Sequence, residues 1–364
     1  MIRSVVAAAA LVAAAAQAEV PVFRVDPSWP RPLPEENGVQ LVLGQVAGIA
    51  VDPRNGHVWI VHRPGTLLPD EWNAKEAKPV THRCCKSAPP VVEFDAKGNM
   101  VRAWGPGEQK LDWPKSEHGI YIDPEGNVWV AGNGDEDNQI LKFTPQGEFL
   151  MQIGRAGKSE GSASETQLGR PAHMMMDPKA QELYVADGYG NRRVVVFDAK
   201  TGAYKRHWGA YGEAPSDEKQ PAYDPEQPLA RQFGNPVHCV RLSRDAKLYV
   251  CDRANDRIQV FEPSGKFVQE FRVEPRTRAN GSTWDMVLSH DAEQRYLYVA
   301  DGANGRVYVV RRSDGRQLGA FGRTGRMAGE FKWVHNIAID ARGNLYTSEV
   351  GYGRRVQKFG LVSF

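Results

Sequence analysis

The sequence predicts an all-β fold, a six-bladed β-propeller closed by an N-terminal strand, and three observations predict it. One unit recurs six times: an apolar strand, a tight turn, a second strand, a polar loop and a third strand, with a fourth strand in most copies. The last copy stops after its third strand, at Phe359, and an N-terminal segment, either VFRVD or VQLVLG, can supply the missing one. No single sheet of this kind buries both faces, so the units must pack on one another, and closing the ring removes the edges that would invite aggregation.

The copies read AGIAVDPRNGHVWIVH, HGIYIDPEGNVWVAGNGDEDNQILKF, HMMMDPKAQELYVADGYGNRRVVVFD, HCVRLSRDAKLYVCDRANDRIQVFE, WDMVLSHDAEQRYLYVADGANGRVYVV and HNIAIDARGNLYTSEVGYGRRVQKFG. Their anchors are Ala47, His118, His173, His238, Trp284 and His335. Short Val/Ile/Tyr/Trp runs bounded by turn residues read as strands. Residues 64–90 interrupt the first copy and 210–233 separate the third from the fourth; both read as surface loops. Residues 1–18 read as a secretory signal, with Arg3, an apolar run and an Ala16-Gln17-Ala18 cleavage site, which leaves 19–364 as one propeller domain. The expected location is secreted or periplasmic, without a membrane segment after cleavage.

Lys and Arg total 46 against 44 Asp and Glu, and the basic residues are scattered, which argues against nucleic acid as the partner. A monomer is expected. Four cysteines in an exported chain permit disulfides but cannot carry the fold. Cys239 and Cys251 flank a hairpin turn centred near Asp245 and should face each other, buried between blades. Adjacent Cys84 and Cys85 leave three options open: a vicinal disulfide, metal ligation or free thiols.

In each unit the first strand is innermost, so its start and the end of the second strand share one mouth of the central channel. His118, His238 and His335 stand in the second, fourth and sixth units, about 120° apart in a six-fold ring. Three imidazoles converging with an open fourth position is the pattern of a catalytic zinc site. A set of strand-start histidines bonded to backbone is the alternative. His173 breaks the alternation and reads as pocket wall or support for a ligand. The second-strand ends add Arg63, Tyr189, Arg253 and Tyr352 to the same mouth. Two guanidiniums beside a metal suit a carboxylate-bearing substrate, and a tyrosine beside a metal can serve as general base.

From GQVAGIAVD to the C-terminus the chain resembles the NHL-repeat propeller of peptidyl-α-hydroxyglycine α-amidating lyase (peptidylamidoglycolate lyase). The resemblance rests on HGIYID, VHCVRL and VHNIAID, and implies zinc on His118, His238 and His335. DGYGNRR implies a catalytic Tyr189; HRPG and DRANDRIQVF imply active-site Arg63 and Arg253. The implied substrate is a small molecule or peptide with a carboxylate. The family has methionine where Trp333 stands, which would reshape the pocket. It also has aspartate at Asn336, holding a calcium ion with two backbone carbonyls that fall on Ile49 and Ile120. A neutral amide is a weaker ligand for that hard cation. No fused monooxygenase domain is expected, and the family's cysteine pairs are not reproduced in these residues.

GKSEG spells a nucleophile elbow but lies in a polar loop, and GDEDN reads as a solvated loop. No Walker A loop, H-E-x-x-H helix or dinucleotide fingerprint occurs. Two other functions fit the same mouth: a non-catalytic NHL propeller that binds a protein or glycan, and a calcium-dependent lactonase-type hydrolase. The latter needs carboxylate and amide ligands where this ring offers histidines.

Overall fold

The first strand of each repeat is largely buried and ends at a side chain that organises the turn, an aspartate in four repeats and a serine, Ser243 or Ser289, in two. In the second copy Asp123 accepts from the backbone of Asn127 and Gly126, and Gly126 takes φ +88°, a conformation glycine adopts without penalty. The second strand, Val128–Gly132, then pairs antiparallel with the first, Glu117–Ile122. The computed structural model describes residues 20–71 and 84–364. The signal segment, His82 and Arg83 therefore lie outside the described residues.

The result is an all-β propeller of six four-stranded antiparallel sheets and one three-stranded sheet. The first strands are Gln45–Val51, Glu117–Ile122, His173–Asp177, Val237–Leu242, Asp285–Leu288 and Val334–Ile339. Each packs on the next in order, and the sixth packs on the first. The approach at the axis is close: a Cβ on Gly48 would meet the His118 carbonyl at 2.6 Å.

Of the two candidate closing segments, VFRVD is used. Val22–Asp26 pairs with the last strand, Val356–Ser363, as the fourth strand of the sixth sheet, so that strand runs past Phe359. VQLV instead joins an accessory sheet, pairing in parallel with Cys85–Ser87. Residues 64–90 are therefore more than a loop. Cys239 and Cys251 do face each other and form a disulfide, buried with Met286 and Tyr308 between the fourth and fifth sheets. Cys84 and Cys85 form a vicinal disulfide. Among the described residues no helix is long and apolar enough to cross a membrane.

One local feature aims the site. Val237 pairs with Asp252 and Cys239 with Cys251, which leaves His238 as the extra residue of a β-bulge. His335 and Ala47 are left over in the same way, and the register also shifts at His118. A bulge turns a side chain out of the regular alternation. In the third sheet the residue at this place is Ala172, not His173: Ala172 donates to the Ala186 carbonyl, and His173 pairs with the same Ala186. This corrects the third anchor.

Candidate metal centre

The bulges turn His118, His238 and His335 toward the axis, where one ligand nitrogen from each lies within 4.8 Å of the others. Their ring centroids are 4.7 to 5.1 Å apart. Each ring is anchored by the neighbouring sheet. Nδ1 of His118 donates to the Ala172 carbonyl at 2.8 Å, and Nδ1 of His335 donates to that of Ala47 at 2.6 Å. Nδ1 of His238 donates to the Trp284 carbonyl. A carbonyl can only accept, so every Nδ1 carries the proton and every Nε2 presents a lone pair. The six anchors thus alternate, histidine donating and its neighbour's carbonyl accepting.

Burial pushes His118 and His238 well below the ordinary imidazole range, and positive charge on neighbouring groups adds to the effect. Burial, then Arg63 and Arg253, push His335 down to about 3. Three neutral imidazoles result, the form that binds a metal. Tyr189 Oη lies 3.0 Å from Nε2 of both His118 and His238. It has one proton to give, so one of those two lone pairs gets no donor from it. The donor set fits a transition ion held by nitrogen.

Arg253 donates to Tyr189 Oη at 3.2 Å and stacks 4.4 Å over the Trp284 ring. Its Nε is buried and has no hydrogen-bond partner among the described residues. Arg63, by contrast, is engaged at every nitrogen: Nε to the Glu117 carbonyl, Nη1 to Gln45 and Nη2 to Asn133. Burial pushes its pKa down from the ordinary arginine value.

Tyr352 is 68% exposed, outside this cluster. His173 is buried but absent from the cluster; it lies close enough to Arg241 and Asp285 to feel their charges, and its Nδ1 has no partner among the described residues. Trp333 adopts φ +62° and its ring lies 5.4 Å from Trp284. Trp284 had stood out only as an anchor, yet it touches His238, His335 and Arg253. Gln45 and Asn133 carry no motif and surface only through their bonds to Arg63. Ile49 and Ile120 are buried in the first strands, and Asn336 Oδ1 accepts from His335 Nδ1 at 2.7 Å.

Fold and site together define a β-propeller with a three-histidine centre at one mouth of its channel. Residues 131–352 match the family described as lactonase, 7-bladed beta-propeller, and the chain belongs to that family. It is 24% identical over 362 residues to NHL repeat-containing protein 3 of Mus musculus, covering 94% of this chain and 85% of that protein. It is 30% identical over 254 residues to peptidyl-glycine alpha-amidating monooxygenase B of Xenopus laevis, covering 68% of this chain and 25% of that one. A probable peptidyl-alpha-hydroxyglycine alpha-amidating lyase of Caenorhabditis elegans is 26% identical over 317 residues, covering 85% of this chain and 80% of the relative.

Proposed function

We propose that the chain is an exported, zinc-dependent carbon–nitrogen lyase on a six-bladed NHL propeller, cleaving an α-hydroxyglycine-type substrate to an amide and glyoxylate. One observation carries the reading: three buried, neutral histidines converge through Nε2, with Tyr189 Oη against two of them and Arg253 beyond it. The alpha-amidating lyase among the relatives supports it. We count the six four-stranded sheets as blades, a departure from the seven in the family's description; the three-stranded sheet has a two-residue strand and a parallel pair, unlike a blade. Two disulfides agree with an oxidising compartment.

His118, His238 and His335 would hold the zinc, whose charge would acidify and orient a substrate hydroxyl. Arg253, with its unpartnered Nε, would bind the substrate carboxylate; Arg63, already satisfied by three acceptors, would line the pocket and position its neighbours. Tyr189 would act as the phenolate, its Oη accepting the hydroxyl proton. The O–H electron pair becomes the carbonyl of glyoxylate, the carbon–nitrogen bond breaks, and its pair goes to the amide nitrogen. The proton taken at Oη can then pass to that nitrogen, so the step balances without a co-reactant.

The family's description favours a second reading, opening of a lactone ring at the same mouth. The test incubates zinc-loaded protein with a short N-acyl-α-hydroxyglycine and, separately, with a simple lactone. Glyoxylate release that is lost in Tyr189→Phe supports the lyase. Lactone opening alone supports the hydrolase, and inactivity toward both in protein that binds no metal supports a binding module.

A further inference from the structure

Beneath the histidines the channel holds a buried carboxylate. Asp285 is fully buried, and five donors saturate it. Its Oδ1 accepts from Arg241 Nε at 3.2 Å and the Met286 amide at 2.8 Å. Its Oδ2 accepts from Arg241 Nη2 at 2.6 Å, Asn336 Nδ2 at 2.9 Å and the Ile337 amide at 3.0 Å. Arg241 Nη2 also reaches the Ile337 carbonyl at 3.0 Å, so one guanidinium from the fourth sheet ties together the fifth and sixth. Arg241 shares a cavity of about 240 Å³ at the opposite mouth with Ala50, Tyr121, Met175, Val287 and Ala338, which come from the other five first strands. The guanidinium therefore lies at the axis.

This donor set does not fit the calcium ion expected at Asn336, Ile49 and Ile120. A hard cation needs oxygens, yet Asn336 turns its NH₂ to Asp285 and spends its oxygen on His335. A divalent ion would also meet a fixed positive charge already neutralised by Asp285. We infer that the Arg241 guanidinium takes the place of a channel metal as a built-in cation, and through Asp285 and Asn336 it positions His335. The path is continuous: Arg241 holds Asp285, Asp285 holds the Asn336 amide, and Asn336 accepts from His335 Nδ1. Asn336 thereby favours the tautomer that leaves Nε2 free. Arg241 is a positioning residue and touches neither substrate nor metal.

The experiment uses zinc-loaded mature protein and calcium chloride as the probe. Wild type should retain no stoichiometric calcium after desalting, and millimolar calcium should move its Tm by less than about 2 °C, whereas a filled native site would raise it by several degrees. Arg241→Met, which leaves Asp285 without its counter-charge, should lower Tm by roughly 5–10 °C. It should also weaken zinc binding about tenfold or more, as loss of a ligand's supporting contact does. Arg241→Lys should recover most of both. Stoichiometric calcium in wild type, calcium stabilisation of wild type, or zinc affinity unchanged in a folded Arg241→Met would each overturn the inference. The wild-type measurements stand even if Arg241→Met does not fold.

Discussion

The hydroxyl of Tyr189 lies 3.0 Å from Nε2 of His118, although 71 residues separate them in the chain. The contact joins the third sheet's second-strand end to the second sheet's bulge, and it puts an ionisable oxygen where three imidazole lone pairs converge. Tyr189→Phe removes the oxygen and keeps the ring that packs 4.9 Å from His118. Turnover should fall roughly 10²–10⁴-fold while metal content stays at the wild-type level. Steady-state kinetics with metal analysis of the same sample checks this; full activity in the variant removes Tyr189 from the mechanism.

Arg253 should matter through the substrate's carboxylate. Arg253→Met keeps much of the stacking on Trp284 but removes the donors, and kcat/KM should drop on the order of 10²-fold. The loss should shrink sharply for a substrate whose carboxylate is replaced by a primary amide. Equal losses on both substrates would assign Arg253 to structure alone.

Trp333 packs 5.4 Å from Trp284, whose ring lies beside His238 and His335. Trp333→Met should raise kcat/KM for substrates with a bulky acyl group by roughly tenfold and leave the smallest substrate nearly unaffected. A uniform change across acyl sizes would contradict a role in selecting substrates.

Metal-free protein should lose stability in mild acid. His62, His173 and His335 are buried and pushed down to about 4, about 3 and about 3, chiefly by burial, and His118 and His238 are also held low. Below the ordinary imidazole pKa the unfolded chain binds protons that the native chain refuses, so stability falls as pH drops from about 6.5 toward those lowered values. Each histidine contributes up to about 1.4 kcal/mol per pH unit in that window. Asp256 and Asp301, raised by burial to about 7 and about 6, act in the opposite sense and offset part of the loss. Denaturant titrations at pH 7, 6 and 5 should give a falling series; a flat one contradicts neutral buried histidines.

The repeat made the fold and the three histidines legible, because alternate units of a ring place like positions at threefold phase. The β-bulge was harder to see. Strict alternation has no place for an extra residue, and so His173 stood in for Ala172. Counting five residues back from the turn positions Asp52, Asp123, Asp177, Ser243, Ser289 and Asp340 reaches the true anchors and would have found Ala172. The Arg241–Asp285–Asn336 chain was hidden for a different reason. Asp285 and Asn336 follow their anchors by one residue and Arg241 follows its anchor by three, and the three meet only because the ring brings those strands to one axis. The use of Val39–Val42 beside Cys85–Ser87 was also invisible, since a parallel pair across a long connection leaves no local pattern.

The central claim is that His118, His238 and His335 hold one catalytic metal, and metal analysis of the purified protein and its histidine variants tests it most directly. The expected result is about one zinc per chain in wild type and in His173→Ala, with zinc lost or greatly weakened in His118→Ala, His238→Ala and His335→Ala. Wild type without any transition metal after gentle purification, or equal loss in all four variants, would contradict it.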